Sequence, residues 1–294
     1  MLIEWEKINK RIDPEDFFPY KKKIVLEIGF GKGDFLLNYS KIFDENLIGI
    51  EISRYLILKS IKKFIKFNNI RVLNSEAFFA LGHIFKKNSI DKIFIIFPDP
   101  WHKKRHEKRR LLNKEFFDRV SFVLKNEGEI FIITDEKILA EYIEENIPEN
   151  FKREKSPEVY IQLANETKYG RKWRKLKKDF FDFYLIKKND IEKYWEDILT
   201  GKRFDHLLIK NFNLSVFKEK VKKIEIKGEN KFISFKNIYE GEKSFIVEFI
   251  LKEETILQKA FLKGEIFKDK CILKPLNKEI IFTKGFFEII NNLS

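Results

Sequence analysis

The chain has one cysteine and one methionine in 294 residues. Cys271 alone can close no intramolecular disulfide and can anchor no cysteine-based zinc site, so a reducing compartment is expected. No apolar run approaches the roughly 18 residues that cross a bilayer as a helix. The stretch Met1-Leu2-Ile3-Glu4-Trp5-Glu6-Lys7 has none of the apolar core of a signal peptide. A cytoplasmic protein is expected. Repeats and low-complexity stretches are absent as well, which argues against a solenoid or a disordered scaffold. What is present is phenylalanine, 32 residues of it, within a chain 44% hydrophobic and 36% charged. That length and balance predict a soluble globular protein of one large or two ordinary domains.

The net charge of +13 is unevenly placed. Residues 101–110 carry six Lys or Arg against one Glu, and residues 168–178 carry seven against none. Outside these two stretches the chain is nearly neutral. The second stretch interleaves its cations with Tyr169 and Trp173. Cations for phosphate beside rings for stacking suit nucleic acid. A membrane surface fits less well, because neither stretch has a clean apolar helical face.

Residues 1–20 read as a short leader with Trp5, Phe17 and Phe18 packing on the domain. Residues 24–28 read as a buried strand that runs into a glycine-rich turn. Helical spacing follows at Phe35, Leu36, Tyr39, Ile42 and Phe43. Further strands are expected at 47–52, 70–74, 90–97, 129–134 and 180–186. Helices are expected after the N-cap Ser53, with Leu56, Ile57, Ile61, Phe64 and Ile65 inward, then over 77–85, 111–124 and 136–147. Five such strand–helix units with buried-type strands predict a doubly wound, mostly parallel sheet with helices on both faces. In such sheets ligands bind at the carboxyl ends of the strands. Glu27, Glu51, Asn74, Asp99 and Asp135 all fall there. From about residue 190 a helical piece around 191–199 leads into short alternating runs punctuated by Gly228, Gly241 and Gly264. A separate β-rich domain over 190–294 is expected beside a first domain over 1–189. Its near balance of charge makes it a weak candidate for the main nucleic-acid surface.

Two constellations carry chemistry. Glu27-Ile28-Gly29-Phe30-Gly31-Lys32-Gly33 follows a strand and opens a helix, where glycine lets the backbone turn tightly and approach a ligand. A nicotinamide-dinucleotide loop would need a glycine at position 34, which is Asp34. The pattern resembles motif I of class I S-adenosylmethionine-dependent methyltransferases. Glu51, at the end of the second strand, can accept both hydroxyls of a ribose diol. The second constellation is Phe97-Pro98-Asp99-Pro100-Trp101, at the end of an apolar strand and immediately before the basic run. It sets one carboxylate and one indole at the sheet edge beside a cationic strip. Lys103, Lys104, Arg105, Lys108, Arg109 and Arg110 are expected to hold RNA phosphates. His102 and His106 lie among these cations, which disfavours metal binding, and no metal is expected. His83 and His206 read as ordinary structural or surface residues.

Four blocks in order, Leu-Glu-Ile-Gly-Phe-Gly-Lys-Gly, Gly-Ile-Glu-Ile, Phe-Pro-Asp-Pro-Trp with its basic tail, and Thr167-Lys168-Tyr169, make residues 20–188 resemble the tRNA (guanine-N7-)-methyltransferase family. The resemblance implies a Rossmann-like seven-stranded sheet, S-adenosyl-L-methionine as cofactor, and methylation of a guanine in the tRNA variable loop. It implies Glu27, Glu51, Glu76 and Asp99 at the cofactor, with the turn glycines Gly29, Gly31 and Gly33. Lys103, Asp135, Thr167, Lys168, Tyr169 and Gly170 are implied at the tRNA, and Asp99 as the catalytic residue. Two departures stand out: Glu76 replaces the family's Asp, and Gly170 stands where a Glu is usual. Alternatives from other classes are a methyltransferase acting on another RNA position and an RNA-binding module with an inactive fold. A monomer and a homodimer fit the sequence equally well.

Overall fold

The computed structural model describes residues 1–4, 10–99, 111–193, 195, 197–228, 230–254, 256–276 and 280–293. The chain forms two compact units, one of Met1–Glu4 with Ile12–Trp195 and one of Trp5–Arg11 with Glu196–Ser294.

The first unit runs β1 (Leu2–Ile3), β2 (Ile24–Ile28), α1 (Asp34–Tyr39), β3 (Asn46–Glu51), α2 (Arg54–Phe64) and β4 (Ile70–Asn74). It continues with α3 (Ala77–Phe79, extended by a π-turn over Ala80–Ile84), β5 (Ile90–Ile96), α4 (Lys114–Val123), β6 (Leu124–Thr134) and α5 (Lys137–Asn146). Then come β7 (Phe151–Glu154), α6 (Glu158–Asn165), α7 (Lys168–Lys175) and β8 (Phe181–Lys187). The sheet order is β1-β4-β3-β2-β5-β6-β8-β7. Strands β1 to β6 pair in parallel, whereas β8 lies antiparallel between β6 and β7. The expected doubly wound, mostly parallel sheet is therefore present, with one strand more than seven. That extra strand lies in the presumed leader, where Leu2 and Ile3 pair with Val72 and Leu73.

All five residues of β2 and all six of β3 are buried, as strands covered on both faces must be. Phe94 of β5 packs on Phe35, Tyr39, Phe131 and Tyr160 at centroid distances of 4.9–6.1 Å. Full burial of one such ring contributes about 1.5–3 kcal/mol. The successive strand order reverses between β2 and β5, which fixes where a ligand crevice opens.

Several expectations fail locally. Residues 158–165 and 168–175 form two short helices that the coarse reading left out, and 151–154 an edge strand. Among the described residues of 191–199 there is no helix. Trp195 instead packs on Phe122, and Leu199 bridges to Thr283, so tertiary partners override the local pattern. Ile42 and Ile65, expected inward, are 58% and 71% exposed, because α1 ends at Tyr39 and α2 at Phe64.

The second unit comprises β9 (Leu207–Ile209), α8 (Leu214–Lys222), β10 (Glu225–Lys227), β11 (Lys231–Glu240), β12 (Ser244–Glu253), β13 (Ile256–Phe267), β14 (Lys270–Pro275) and α9 (Lys284–Leu293). Its antiparallel sheet has the order β10-β11-β12-β13-β14-β9. Strand alternation puts Phe245, Val247, Phe249 and Leu251 on one face, in a core shared with Phe217 of α8 and Phe286 of α9. Glu253 closes the start of α9 by accepting the Gly285 backbone N–H at 2.7 Å and the Thr283 hydroxyl.

Candidate active site

The carboxyl ends of β2, β3, β4 and β5 open into a cavity of about 440 Å³. Its lining includes Glu27, Gly29, Gly31, Glu51, Glu76, Asp99, Thr167, Lys168 and Tyr169. These nine expected site residues, drawn from five segments, are brought together. Asp135 is not among the lining residues: its carboxylate pairs with Lys178, whose Nζ lies 4.2 Å from the Trp173 ring centroid. Lys103, Lys104, Arg105, Lys108, Arg109 and Arg110, with Trp101, His102 and His106, lie outside the described residues.

The glycine turn shows why those positions take no side chain. Gly29, Gly31 and Gly33 all have left-handed backbones, with φ of +71°, +56° and +73°. A Cβ on Gly29 would meet nothing within 4 Å, so the loop presents bare backbone to the cavity. Gly33 has a different reason. Its Cβ would come within 2.2 Å of Cζ of the buried Phe64, so it permits the close approach of α1 and α2 and does not line the cavity.

Glu51 locks this turn to the second strand. Its Oε2 accepts the Gly31 N–H at 3.0 Å and its Oε1 the Ser53 N–H at 2.9 Å. A carboxylate has about four acceptor sites, so two remain for a pair of ligand hydroxyls. Asn74 donates to the Glu51 carbonyl at 2.9 Å and holds the β3 end from the neighbouring strand. Glu76 caps α3 by accepting the Phe79 N–H at 2.9 Å. The longer side chain at this position thus has a local structural use.

Glu27 is buried at the back of this turn. It is 3% exposed, and its Oε2 has no hydrogen-bond partner. Burial pushes its carboxyl well above the usual range; a bond from the Leu36 backbone opposes this, while the nearby charges of Asp34 and Glu51 add to it. An orphaned buried acceptor beside a bare glycine turn is a place that a cationic ligand would satisfy. The lining as a whole has acidic side chains inside, from Glu27, Asp34, Glu51, Glu76 and Asp99, with Lys32 and Lys168 beside them.

Asp34 was missed by the sequence reading, although an acidic first-turn residue is a recognisable sign of a helix start. Burial would raise its carboxyl, but Lys63 at 2.8 Å, the Lys168 backbone N–H and the charge of Arg171 outweigh it and hold it below the usual range. It therefore joins α1, α2 and the start of α7. That start is built by Thr167, whose hydroxyl donates to the Ala164 carbonyl at 2.8 Å and accepts the Gly170 N–H at 3.1 Å. Gly170 is buried, and a Cβ there would lie 2.3 Å from the Ala164 carbonyl oxygen. On this backbone the usual Glu has no room.

At the end of β5, Phe97 adopts φ +51°, rare for a residue with a side chain. Its N–H is held by the Ile133 carbonyl at 2.9 Å and its ring by Phe180 at 5.3 Å. Such a conformation costs on the order of 1–3 kcal/mol. It turns the chain sharply, so that Pro98 and the exposed Asp99 come to the cavity edge.

The parallel sheet, its switch point and the left-handed glycine turn define a Rossmann-like, class I methyltransferase fold. A family model described as "Putative methyltransferase" matches residues 21–183. The tRNA (guanine-N(7)-)-methyltransferase of Thermotoga maritima is 31% identical over 283 residues, covering 90% of this chain and 85% of that protein. The one from Aquifex aeolicus is 33% identical over 256 residues, 84% of each. The one from Mesoplasma florum is 40% identical over 219 residues, covering 71% of this chain and 90% of its own. The chain belongs to the tRNA (guanine-N7-)-methyltransferase family.

Proposed function

We propose that this chain transfers the methyl group of S-adenosyl-L-methionine to N7 of a guanine in the variable loop of tRNA, in the cytoplasm. Family membership gives the reaction. The observation that carries it to this site is the acidic cavity with an orphaned Glu27 oxygen beside bare glycine backbone, reached from the end of β5 at Asp99. Residues 1–189 hold the transferase, and residues 190–294 form an accessory domain.

When bound, S-adenosylmethionine supplies an electrophilic methyl group on a sulfonium centre. Glu27 would face the positive charge of that molecule, Glu51 its ribose hydroxyls, and Gly29 and Gly31 leave space for it. N7 of guanine carries an accessible lone pair, so its attack needs no general base. The protein's contributions are orientation, worth about 7–11 kcal/mol in well-aligned cases, and stabilisation of charge. Methylation leaves the purine cationic, and a carboxylate beside it stabilises charge as it develops. In this reading Asp99 orients the guanine and stabilises that charge. Lys103, Lys104, Arg105, Lys108, Arg109 and Arg110 hold phosphates. Asp135 and the segment Thr167 to Gly170 contact the tRNA.

The test is to incubate unmodified tRNA with the chain and S-adenosylmethionine and to map the modified base. Methyl uptake at one variable-loop guanine, lost when that guanine is 7-deazaguanine, is the expected result. Uptake that survives the 7-deaza substitution overturns the N7 assignment.

A further inference from the structure

Between Glu51 and Glu76 there are six Lys or Arg and no acidic residue: Arg54, Lys59, Lys62, Lys63, Lys66 and Arg71. The structure shows how α2 sorts them. Ile57, Ser60 and Phe64 face the core, Leu56 lines the cavity, and Lys63 turns to Asp34. Arg54, Lys59, Lys62 and Lys66 are exposed, and among the described residues Lys59, Lys62 and Lys66 have no carboxylate partner. Tyr55 and Leu58 on the same helix and Ile65 just past its end are 62%, 59% and 71% exposed, and the Lys59 Nζ lies 4.2 Å from the Tyr55 ring centroid.

Helix electrostatics accounts for only part of this. Cations in the last turn are favoured by the helix dipole, which explains Lys62 and Lys63, but Arg54 opens the helix, where positive charge is disfavoured. Nor does the dipole explain rings and aliphatic side chains left in water. Cations interleaved with exposed apolar side chains are the composition that holds a nucleic-acid strand, phosphates on the one and bases or sugars on the other.

The position strengthens the reading. Lys63 of α2 and the first residue of α7, Lys168, meet at the same carboxylate, Asp34, with Arg171 close enough to act on it. Lys63 also donates to the Lys32 carbonyl of the glycine turn at 2.8 Å. The two basic helices are thus neighbours at the cavity mouth, joined around one acidic group. We propose that the exposed face of α2 and the turn that follows it, centred on Tyr55, Lys59, Lys62 and Lys66, is a tRNA-backbone contact surface continuous with α7. It rests on the tRNA reading above and adds an RNA grip beside the glycine turn, through Lys63 and the Lys32 carbonyl.

The test is the full chain carrying Lys59→Gln, Lys62→Gln and Lys66→Gln, three exposed substitutions. Binding of labelled tRNA is measured across a salt series, with S-adenosylmethionine affinity by calorimetry and molecular mass by sedimentation. At about 0.7–0.9 of log–log slope per phosphate contact, loss of three contacts flattens the variant's slope by roughly two to three, so its deficit narrows by roughly twenty- to fortyfold between about 50 and 200 mM salt. The KM for tRNA rises while kcat and cofactor affinity stay at wild-type values. Tyr55→Ala weakens binding without changing the slope. An unchanged slope and tRNA affinity overturn the proposal, as does a lost cofactor affinity. A change of mass with unaltered RNA binding also overturns it and makes the face a contact between copies. Binding is read independently of which base is methylated, so failure of the N7 mapping and failure of this surface are distinguishable.

Discussion

Substituting Glu27→Gln separates what stabilises the fold from what holds the ligand. The side chain is 3% exposed, with one oxygen unpartnered and the Leu36 backbone N–H bonded to the carboxylate. Its folded pKa lies above the unfolded value near 4.5, chiefly through burial. For an acid shifted this way, the stabilising contribution is complete below the unfolded value and is lost as pH rises through the folded one. As pH rises through that raised value the wild type comes to bury an under-solvated charge. Gln keeps an acceptor for Leu36 and stays neutral. Relieving an unsatisfied buried charge is worth about 1–3 kcal/mol. For a unit of this size that raises Tm by roughly 2–10 °C. Thermal scans of the ligand-free protein between about pH 4 and pH 9 should show wild type and variant together at the acid end and diverging as pH rises. Calorimetry should show the opposite sign for function: loss of a charge-assisted contact worth about 1.5–3 kcal/mol weakens S-adenosylmethionine about ten- to hundredfold. Parallel melting at every pH, or undiminished cofactor affinity, refutes the reasoning.

Gly33→Ala combines a left-handed backbone with a Cβ 2.2 Å from Phe64 Cζ, so strain and overpacking together cost about 2–5 kcal/mol; denaturant unfolding measures it, and a loss below about 1 kcal/mol contradicts the packing argument. Gly170→Glu, which restores the residue usual in the family, should destabilise by about 1–3 kcal/mol, because its Cβ meets the Ala164 and Asn165 backbone; a variant as stable as wild type would mean that the α6–α7 turn yields. Asp99→Ala should lower kcat on tRNA by about a hundred- to a thousandfold, and wild-type turnover would remove Asp99 from the reaction. Charge reversal at both Arg105 and Arg109 should raise the KM for tRNA and flatten its salt slope by roughly one to two; an unchanged slope would argue against phosphate contact there.

The alternation of apolar runs and helical spacing determined six of the eight strands of the first sheet and left out the short edge strands Leu2–Ile3 and Phe151–Glu154. Buried strands such as Ile24–Ile28 and Asn46–Glu51 are mostly apolar, and Ile24–Ile28 ends at a glycine turn. The glycine spacing and the carboxylates at the strand ends were legible for the same reason: local backbone demands and the direction of parallel strands act within a few residues. Three-dimensional packing decided the rest. The three glycines look alike in sequence, yet two leave space for a ligand and Gly33 admits Phe64. Nothing local marks Gly170 as buried, because the atoms that exclude a side chain there belong to the preceding helix.

Charge shows the division most clearly. Counting along the chain finds the dense basic runs at 101–110 and 168–178, but it passes over 54–66, where cations are spaced among apolar residues. A helix of 3.6 residues per turn sends Lys59 and Lys62 toward solvent and Lys63 to Asp34, and the turn after it leaves Lys66 exposed beside them. The sequence by itself determined the central strands of the sheet, the glycine turn and the acidic groups at its edge. Only the tertiary structure decided which groups share one cavity, which carboxylate lacks a partner, and that two helices far apart in sequence meet at a single aspartate. The first set depends on contacts a few residues long, and the second on side chains that only packing makes neighbours.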